Sequence, residues 1–301
     1  MNDFVDLHIH TSHSSDGDHG PLEILQMARD IGLRAISITD HDSVEASRIA
    51  LQCCRDYDLE VLPAVEITTF FRGRELHILS YFIDIAAPGV IAQLATIREF
   101  DEARSQQLIL LLNGMGIDVD YDEVKAVSPH AAAKCSVIVK AAMTNGRNVE
   151  LPIFQDYFDG RRSDQPYHNF FLDYMRPGGV AYVEPSTRYP TTAAIELSLS
   201  YGGVPVLAHP GGSLTLPDDI EIIDQLRSRG LSGLEVYSSY HTAEQDRFLG
   251  DYCSRHDLVV TAGSDFHGAT VKPNIRLGVI PYNPYVLVEA LQERRRALLC
   301  A

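Results

Sequence analysis

The sequence predicts an α/β fold in which a barrel-like domain is interrupted by a mainly helical segment. Short β-like runs alternate with helical runs over the first part of the chain, and the same alternation returns after residue 203. Between these halves the pattern is helical, with little strand signal. We expect residues 1–87 and 177–301 to form the barrel domain, and residues 88–176 to form an inserted helical domain that packs on it as a lid.

The individual elements follow from the apolar runs and from the helical periodicity between them. Strands are predicted at residues 4–9, 34–39, 60–65, 204–208, 233–237 and 258–262, and helices at 21–31, 43–57, 217–229 and 242–256. This order is typical of parallel β/α units. Because the carboxyl ends of the strands share one rim in such a fold, a site is expected at that rim.

The composition limits the partners that we expect. With 45% hydrophobic and 22% charged residues, the chain can bury a substantial core. Its net charge of −16 argues against bulk binding to nucleic acid or to an anionic membrane. The five cysteines include no CxxC pair, and an odd number fits no closed disulfide framework. Since we find no signal-peptide pattern and no apolar run of membrane-spanning length, we expect a cytoplasmic protein.

Histidine and aspartate residues cluster near the ends of the first two predicted strands. His8 and His10 are two residues apart, so both side chains point the same way from one strand. Asp16 follows in a turn rich in Ser, Asp and Gly, and Asp40 and His41 come where the next strand ends. An HxH pair alone is a weak sign of metal binding, but these neighbours on one rim strengthen it.

The later strands deliver the same residue types. Glu66 follows the third strand, His77 comes from the next one, and His209 follows another apolar strand. Asp265 and His267 follow the last of these strands. Each fragment alone could be a capped loop. Their repeated position at strand ends favours an active site.

The remaining histidines have a weaker context. His13 lies among the residues of the first loop and is either a ligand that competes with Asp16 or a solvated loop residue. His241, four residues past the end of a strand, is expected to contact substrate rather than metal. Surface or structural roles are expected for the others, which are His19, His130, His168 and His256.

Taken together, the segments DLHIHT with SDG, TDHD, the Glu66 and His77 pair, LAHPG and GSDFHG resemble the motifs of the PHP (polymerase and histidinol phosphatase) superfamily of metal-dependent phosphoesterases. The resemblance implies a distorted barrel of seven β/α units. The chain is most similar to the nucleotide-phosphatase branch, which carries a helical insertion and has Asp at the Asp16 position. It also implies two or three divalent ions. Manganese is the expected metal, although such ligands also suit iron and zinc.

The resemblance implies that nine ligands bind three ions. The first ion would be held by His8, His10, Glu66 and Asp265, the second by Glu66, His77 and His209, and the third by Asp16, His41 and His267. Glu66 would therefore bridge two ions.

The expected reaction is hydrolysis of the phosphate monoester of a small metabolite by a hydroxide formed from metal-bound water. A nucleoside monophosphate or 3',5'-bisphosphate is the expected substrate. Asp265, His241 and Asp40 are the expected catalytic residues, and Asp40 and Ser264 could orient the imidazoles. A histidinol-phosphate-type phosphatase and a non-catalytic metal-binding PHP module stay open as alternatives. The sequence leaves the oligomeric state open.

The chain departs from its relatives in the residues that hold phosphate. Similar sequences carry an SRxH-type pattern and a YxxPGK-type turn, where this chain reads AAAKCSV and YMRPGG. Lys134 is the cation nearest the first position, and Arg176 directly precedes the second turn. Arg188 lies just past the next predicted strand. These three cations and His241 are the expected phosphate-binding residues.

Overall fold

The computed structural model describes residues 3–14, 16–127, 133, 135–164, 166–176, 178–184, 189–270 and 272–300. Contacts divide the chain into two compact units. The first unit comprises Met1–Ala95 and Arg188–Ala301, and the second comprises Thr96–Thr187. The second unit starts and ends about ten residues later than the insertion predicted at 88–176. That it is an inserted domain stays a prediction.

The elements alternate between strand and helix in the first unit and are helical in the second. Up to the end of the second unit they are β1 Val5–Ile9, α1 Pro21–Asp30, β2 Ala35–Ile38, α2 Glu45–Cys53, a 3₁₀ turn Cys54–Tyr57, β3 Glu60–Val61, β4 Ala64–Phe71, β5 Arg74–Tyr81, α3 Pro88–Gly114, α4 Tyr121–Val127, α5 Cys135–Thr144, α6 Pro152–Phe158 and α7 Pro166–Tyr174. The later elements are α8 Thr191–Ser200, β6 Val204–Leu207, α9 Pro210–Ser213, α10 Ile220–Arg227, β7 Gly233–Ser238, α11 Ala243–His256, β8 Val259–Gly263 and α12 Val286–Leu299.

The strands form two sheets, one of which is not wholly parallel. The first sheet has the parallel order β1-β2-β3, and the second has the order β4-β5-β6-β7-β8. Strand β5 runs antiparallel to both of its neighbours, which corrects the expectation of a parallel sheet throughout. The reason is local: β4 and β5 form a hairpin through Arg72 and Gly73, with φ of 50° and 80°. Positive φ at both central residues is what a two-residue hairpin turn requires.

The described strands form two sheets instead of one closed sheet, so the distorted barrel of seven β/α units stays a prediction. The strand predicted at 60–65 is split into β3 and β4 around Pro63, which has no backbone N–H to continue a ladder. Isolated parallel bridges, Ile9 to Phe266 and His41 to Glu66, connect the two sheets. Both bridges involve a candidate site residue or the neighbour of one, so the candidate site lies where the sheets meet.

Strand β1 shows how the core positions polar side chains. Val5 and Leu7 belong to one buried apolar cluster, and Ile9 belongs to a second. Since side chains alternate along a strand, Asp6 and His8 take the other face, and both are fully buried. The apolar positions thus fix the register that places His8 in the interior.

The second unit has its own apolar core. Buried side chains from α3 to α7, with Phe154 and Phe170 among the largest, form a single cluster. Their rings lie 5.4 Å apart between centroids. Among the helices in the described part of the chain, none has both the length and the apolar character needed to cross a bilayer.

Candidate metal centre

The structure brings all nine predicted metal ligands together in the first unit. Each residue contributes one nitrogen or oxygen atom to at least one of four overlapping groups. Within each group these atoms lie within 4.8 Å of one another. The groups are His8, His10 and Asp265; His8, Glu66 and His209; His41, Glu66 and His77; and His10, Asp16, His41 and His267. Because the groups overlap, the assignment of ligands to individual ions stays a proposal.

Glu66 lies at the centre of this cluster. Five imidazole nitrogens lie 3.0 to 3.4 Å from its carboxylate oxygens, those of His8, His10, His41, His77 and His209. Glu66 is fully buried, and among the described residues neither of its oxygens has a hydrogen-bond partner of good geometry. A buried carboxylate without such hydrogen bonds is costly unless a cation balances it.

His8, His10 and Asp265 form a nearly equilateral triangle of ligand atoms. The two Nε2 atoms are 3.1 Å apart, and they lie 3.3 and 3.1 Å from Oδ1 of Asp265. Neighbouring ligands around one ion at about 2.1 Å have separations of about 3 Å. The triangle therefore has the dimensions of one face of a metal coordination shell.

The close approach of β8 to β1 creates this triangle. A Cβ atom added to Gly263 would overlap with Cβ of His8, so only glycine permits the contact. Two candidate ligands have left-handed backbones, Asp265 with φ of 55° and His209 with φ of 27°. Such conformations are unfavourable for residues other than glycine, and they cluster at functional sites.

A further group lies beside the triangle. Nε2 of His267 is 3.3 Å from Oδ2 of Asp16, and Nε2 of His41 is 3.8 Å from the same oxygen. The ring of His267 stacks on that of His10, with 4.0 Å between centroids. The predicted ligands of the first loop and the last loop therefore meet.

Hydrogen bonds to the Nδ1 atoms leave Nε2 of three rings free to face the cluster. Glu235 lies 3.0 Å from Nδ1 of His8, and the main-chain oxygen of Asp265 lies 2.8 Å from Nδ1 of His267. Ser14 Oγ lies 3.3 Å from Nδ1 of His10. Groups of this kind fix the tautomer and orientation of metal-binding imidazoles.

Sequence reasoning missed Glu235. It is the one acidic residue of strand β7 and is fully buried, with its second oxygen accepting from the backbone N–H of His209 at 2.8 Å. A single glutamate within the otherwise apolar segment GLEV was the available signal.

The charges in the cluster shift each other's protonation. Burial alone would lower the pKa of His10, but Asp265 and Glu66 outweigh it and raise that pKa to about 9. Burial opposes a charged His77 as well, yet the charge of Glu66 raises its pKa to about 10. Burial disfavours ionised Asp16, but His267 and His41 hold its pKa well below its usual range. The carboxylates thus stay ionised and draw cations.

The predicted catalytic and orienting roles of Asp40 and Ser264 are not supported by their contacts. Asp40 accepts hydrogen bonds from the backbone N–H and the hydroxyl of Thr11, at 2.6 and 2.7 Å. Burial raises the pKa of Asp40 to about 6 despite these bonds. Ser264 donates its hydroxyl to the buried Asp6 at 2.6 Å. Asp40 therefore connects the segments that follow β1 and β2, and Ser264 connects the end of β8 to β1, instead of orienting an imidazole.

The expectation that His241 contacts substrate is corrected. Its side chain is fully buried. Its Nδ1 lies 2.7 Å from the carbonyl oxygen of Val236, and its Nε2 accepts from the N–H of Gly211 at 2.9 Å. With both ring nitrogens bonded to backbone, His241 is a structural residue that joins β7 to α9.

The expectation that Lys134, Arg176 and Arg188 bind phosphate stays a prediction. Lys134 and Arg188 lie outside the described residues, and Arg176 is an exposed residue of the second unit. Within the first unit, Nζ of Lys272 lies 2.5 Å from Oδ2 of Asp265. Sequence reasoning missed Lys272 because no spacing rule connects it to the histidine motifs.

The other histidines lie outside these groups as far as the described residues show. His13 belongs to none of them. The ring of His19 stacks on Phe266, and that of His256 lies against Tyr252. His130 and the side chain of His168 lie outside what the structure describes.

Divalent ions fit this donor set. The buried oxygens of Glu66 lack hydrogen-bond partners among the described residues, and two Nε2 atoms face each other at 3.1 Å. Imidazole with carboxylate suits Mn, Fe and Zn alike. A cation would satisfy the lone pairs of both kinds of ligand.

Comparisons with known proteins agree with this chemistry. A protein of Eggerthella lenta named phosphoribosyl 1,2-cyclic phosphate 1,2-diphosphodiesterase is 25% identical, covering 87% of this chain and 94% of its own length. A 3',5'-nucleoside bisphosphate phosphatase of Chromobacterium violaceum is 27% identical over 87% of both chains. A 5'-3' exoribonuclease Rnm of Escherichia coli is 27% identical over 87% of this chain and 84% of its own.

A solved structure of similar fold also belongs to a protein described as a phosphoesterase. A candidate metal-dependent phosphoesterase from Bifidobacterium adolescentis has a TM-score of 0.80 and 26% identity, with 96% of each chain covered. The sequence model of the PHP domain matches residues 6–160, more than half of the 301 residues. The resemblance read from the motifs is confirmed: the chain belongs to the PHP domain family.

Proposed function

We propose that the chain is a metal-dependent phosphatase that hydrolyses phosphate monoesters of small metabolites, with nucleotides as its substrate class. The observation that carries the proposal is the buried cluster around Glu66, in which all nine predicted ligands converge. The relatives are named as a phosphatase, a phosphodiesterase and an exoribonuclease, so their names agree on the cleavage of phosphoesters.

The charge of the site favours an anionic substrate. Asp16, Glu66 and Asp265 bring three negative charges, and two or three divalent ions bring four to six positive ones. When bound, such ions supply Lewis acidity, which lowers the pKa of water and neutralises charge on phosphoryl oxygens. The surplus is local, since screening acts over about 8 Å at physiological salt. The acidic chain as a whole can therefore still attract phosphate to this site.

The chain's own residues would hold this arrangement before substrate arrives. His8, His10 and Asp265 would hold one ion through the atoms of the triangle, and Glu66 would bridge to a second. Glu235 would keep the proton of His8 on Nδ1. Because these groups are buried and hydrogen-bonded, little reorganisation would be needed during the reaction.

The names of the relatives support two kinds of substrate. The bisphosphate phosphatase relative supports a nucleoside 3',5'-bisphosphate. The cyclic phosphodiesterase and exoribonuclease relatives favour a second candidate, cleavage of a phosphodiester. The net charge of −16 argues against a long nucleic acid as the substrate.

A substrate panel tests the proposal, with phosphate release as the measure of monoester hydrolysis and chromatography of the products as the measure of phosphodiester cleavage. The Mn²⁺-loaded protein is offered adenosine 3',5'-bisphosphate, AMP, histidinol phosphate, a ribose 1,2-cyclic phosphate and a short 5'-phosphorylated RNA. We expect the nucleotides to be turned over fastest, and Asp265→Asn to lower kcat by orders of magnitude. Asp251→Asn, on the exposed side of α11, is the matched control. Failure of the wild-type protein to release phosphate from any monoester, with metal bound, would refute the proposal.

A further inference from the structure

Lys272 lies on the outer side of Asp265. The Oδ1 atom of Asp265 faces His8 and His10, while its Oδ2 atom lies 2.5 Å from Nζ of Lys272. One carboxylate is therefore shared between the ligand cluster and an ammonium group.

An aromatic ring holds the ammonium at the edge of the cluster. Nζ of Lys272 lies 5.0 Å from the centroid of the Tyr240 ring, within the range of a cation–π contact. That ring lies 5.2 Å from the ring of His209. The Tyr240 residue is 42% exposed and the Lys272 side chain 20% exposed. The ammonium therefore lies between buried ligands and solvent, where an incoming anion would meet it.

We propose that Lys272 binds the phosphoryl group of the substrate in this site. The inference rests on the proposed phosphoesterase function. An ammonium group has three donors, and among the described residues only Asp265 accepts from it, so two donors can reach phosphoryl oxygens. A cation held beside divalent ions is repelled by them, and Asp265 offsets that repulsion with a single negative charge. A phosphate dianion that contacts both the ions and the ammonium would offset more of it. This assigns the role to a residue outside the expected set of Lys134, Arg176 and Arg188.

The test measures binding of inorganic phosphate to the Mn²⁺-loaded protein by calorimetry, with metal content from elemental analysis. The variants are Lys272→Met and Lys272→Arg, and Arg255→Met, on an exposed turn of α11, is the control for loss of a positive charge. We expect Lys272→Met to weaken phosphate binding about tenfold or more, as loss of a charge-assisted hydrogen bond does. Lys272→Arg should stay within a few-fold of wild type.

Metal content separates this role from a structural one. Since Lys272 competes with ions for Asp265, its removal should leave metal binding unchanged or tighter. If phosphate affinity is unchanged in Lys272→Met at full metal content, Lys272 only occupies the place of an ion and the proposal is wrong. Should that variant fail to fold, Lys272→Gln replaces it with the same expected loss. Phosphate binding is measured without turnover, so it is informative even if no substrate is hydrolysed.

Discussion

Glu235 offers the sharpest test of how the site is organised. Its two oxygens both accept hydrogen bonds, one from Nδ1 of His8 at 3.0 Å and one from the backbone N–H of His209 at 2.8 Å. Glutamine has nearly the same shape but only one acceptor oxygen. Glu235→Gln can therefore satisfy one of these donors but not both.

Either orientation of the glutamine is costly. If its oxygen stays with His209, its amide points at Nδ1 of His8, which must then accept, so the ring proton moves to Nε2. Nε2 is the atom that faces His10 and Asp265, so His8 could no longer bind an ion. If the amide is flipped, its NH₂ group faces the backbone N–H of His209, and two donors then oppose each other. Loss of a hydrogen bond to a charged group costs about 1.5 to 3 kcal/mol.

We expect Glu235→Gln to lower Mn²⁺ affinity by about 10- to 100-fold, the usual effect of losing such an orienting partner. Stability of the metal-free protein should fall by about 1.5 to 3 kcal/mol in chemical denaturation. Mn²⁺ titration by calorimetry measures the first quantity. Glu293→Gln, on the exposed face of α12, is the control and should change neither. Wild-type Mn²⁺ affinity in Glu235→Gln would refute the reasoning.

Three other predictions follow from the same contacts. His241→Ala should lose about 2 kcal/mol of stability, because it leaves the Gly211 N–H unpaired, yet KM should not change; a raised KM with unchanged stability would restore its substrate role. Gly263→Ala should destabilise the fold by about 3 kcal/mol, since its Cβ would overlap with His8; a thermal melt near wild type would contradict this. Asp40→Asn should reduce stability but keep full metal content, because Asp40 contacts Thr11. Elemental analysis measures the metal content, and a loss of metal in this variant would contradict the prediction.

The ligands themselves could be predicted because local patterns place them. The alternation of DLHIH puts His8 and His10 on one face of a strand, and the later motifs follow strands in the same way. Sequence periodicity cannot show the sense in which strands pair. It therefore missed the antiparallel β5, although Arg72 and Gly73 were the available hairpin signal.

Contacts between distant segments could not be predicted from spacing. Glu235 meets a histidine 227 positions earlier in the chain, and Ser264 meets Asp6 across 258 positions. His241 was expected to contact substrate because it follows a strand end, but both of its ring nitrogens form hydrogen bonds with backbone groups. Only packing decides whether a polar side chain near a rim faces the site or ties loops together.

The central claim is that the cluster around Glu66 binds the divalent ions on which phosphoester hydrolysis depends. Stepwise addition of Mn²⁺ to the metal-free protein, with bound metal and phosphate release measured in the same samples, tests it most directly. We expect two or three ions per chain, turnover that rises with bound metal, and loss of both in Glu66→Gln, which has one acceptor oxygen fewer. Full turnover by protein shown to contain no metal, or wild-type metal content and turnover in Glu66→Gln, would contradict the claim.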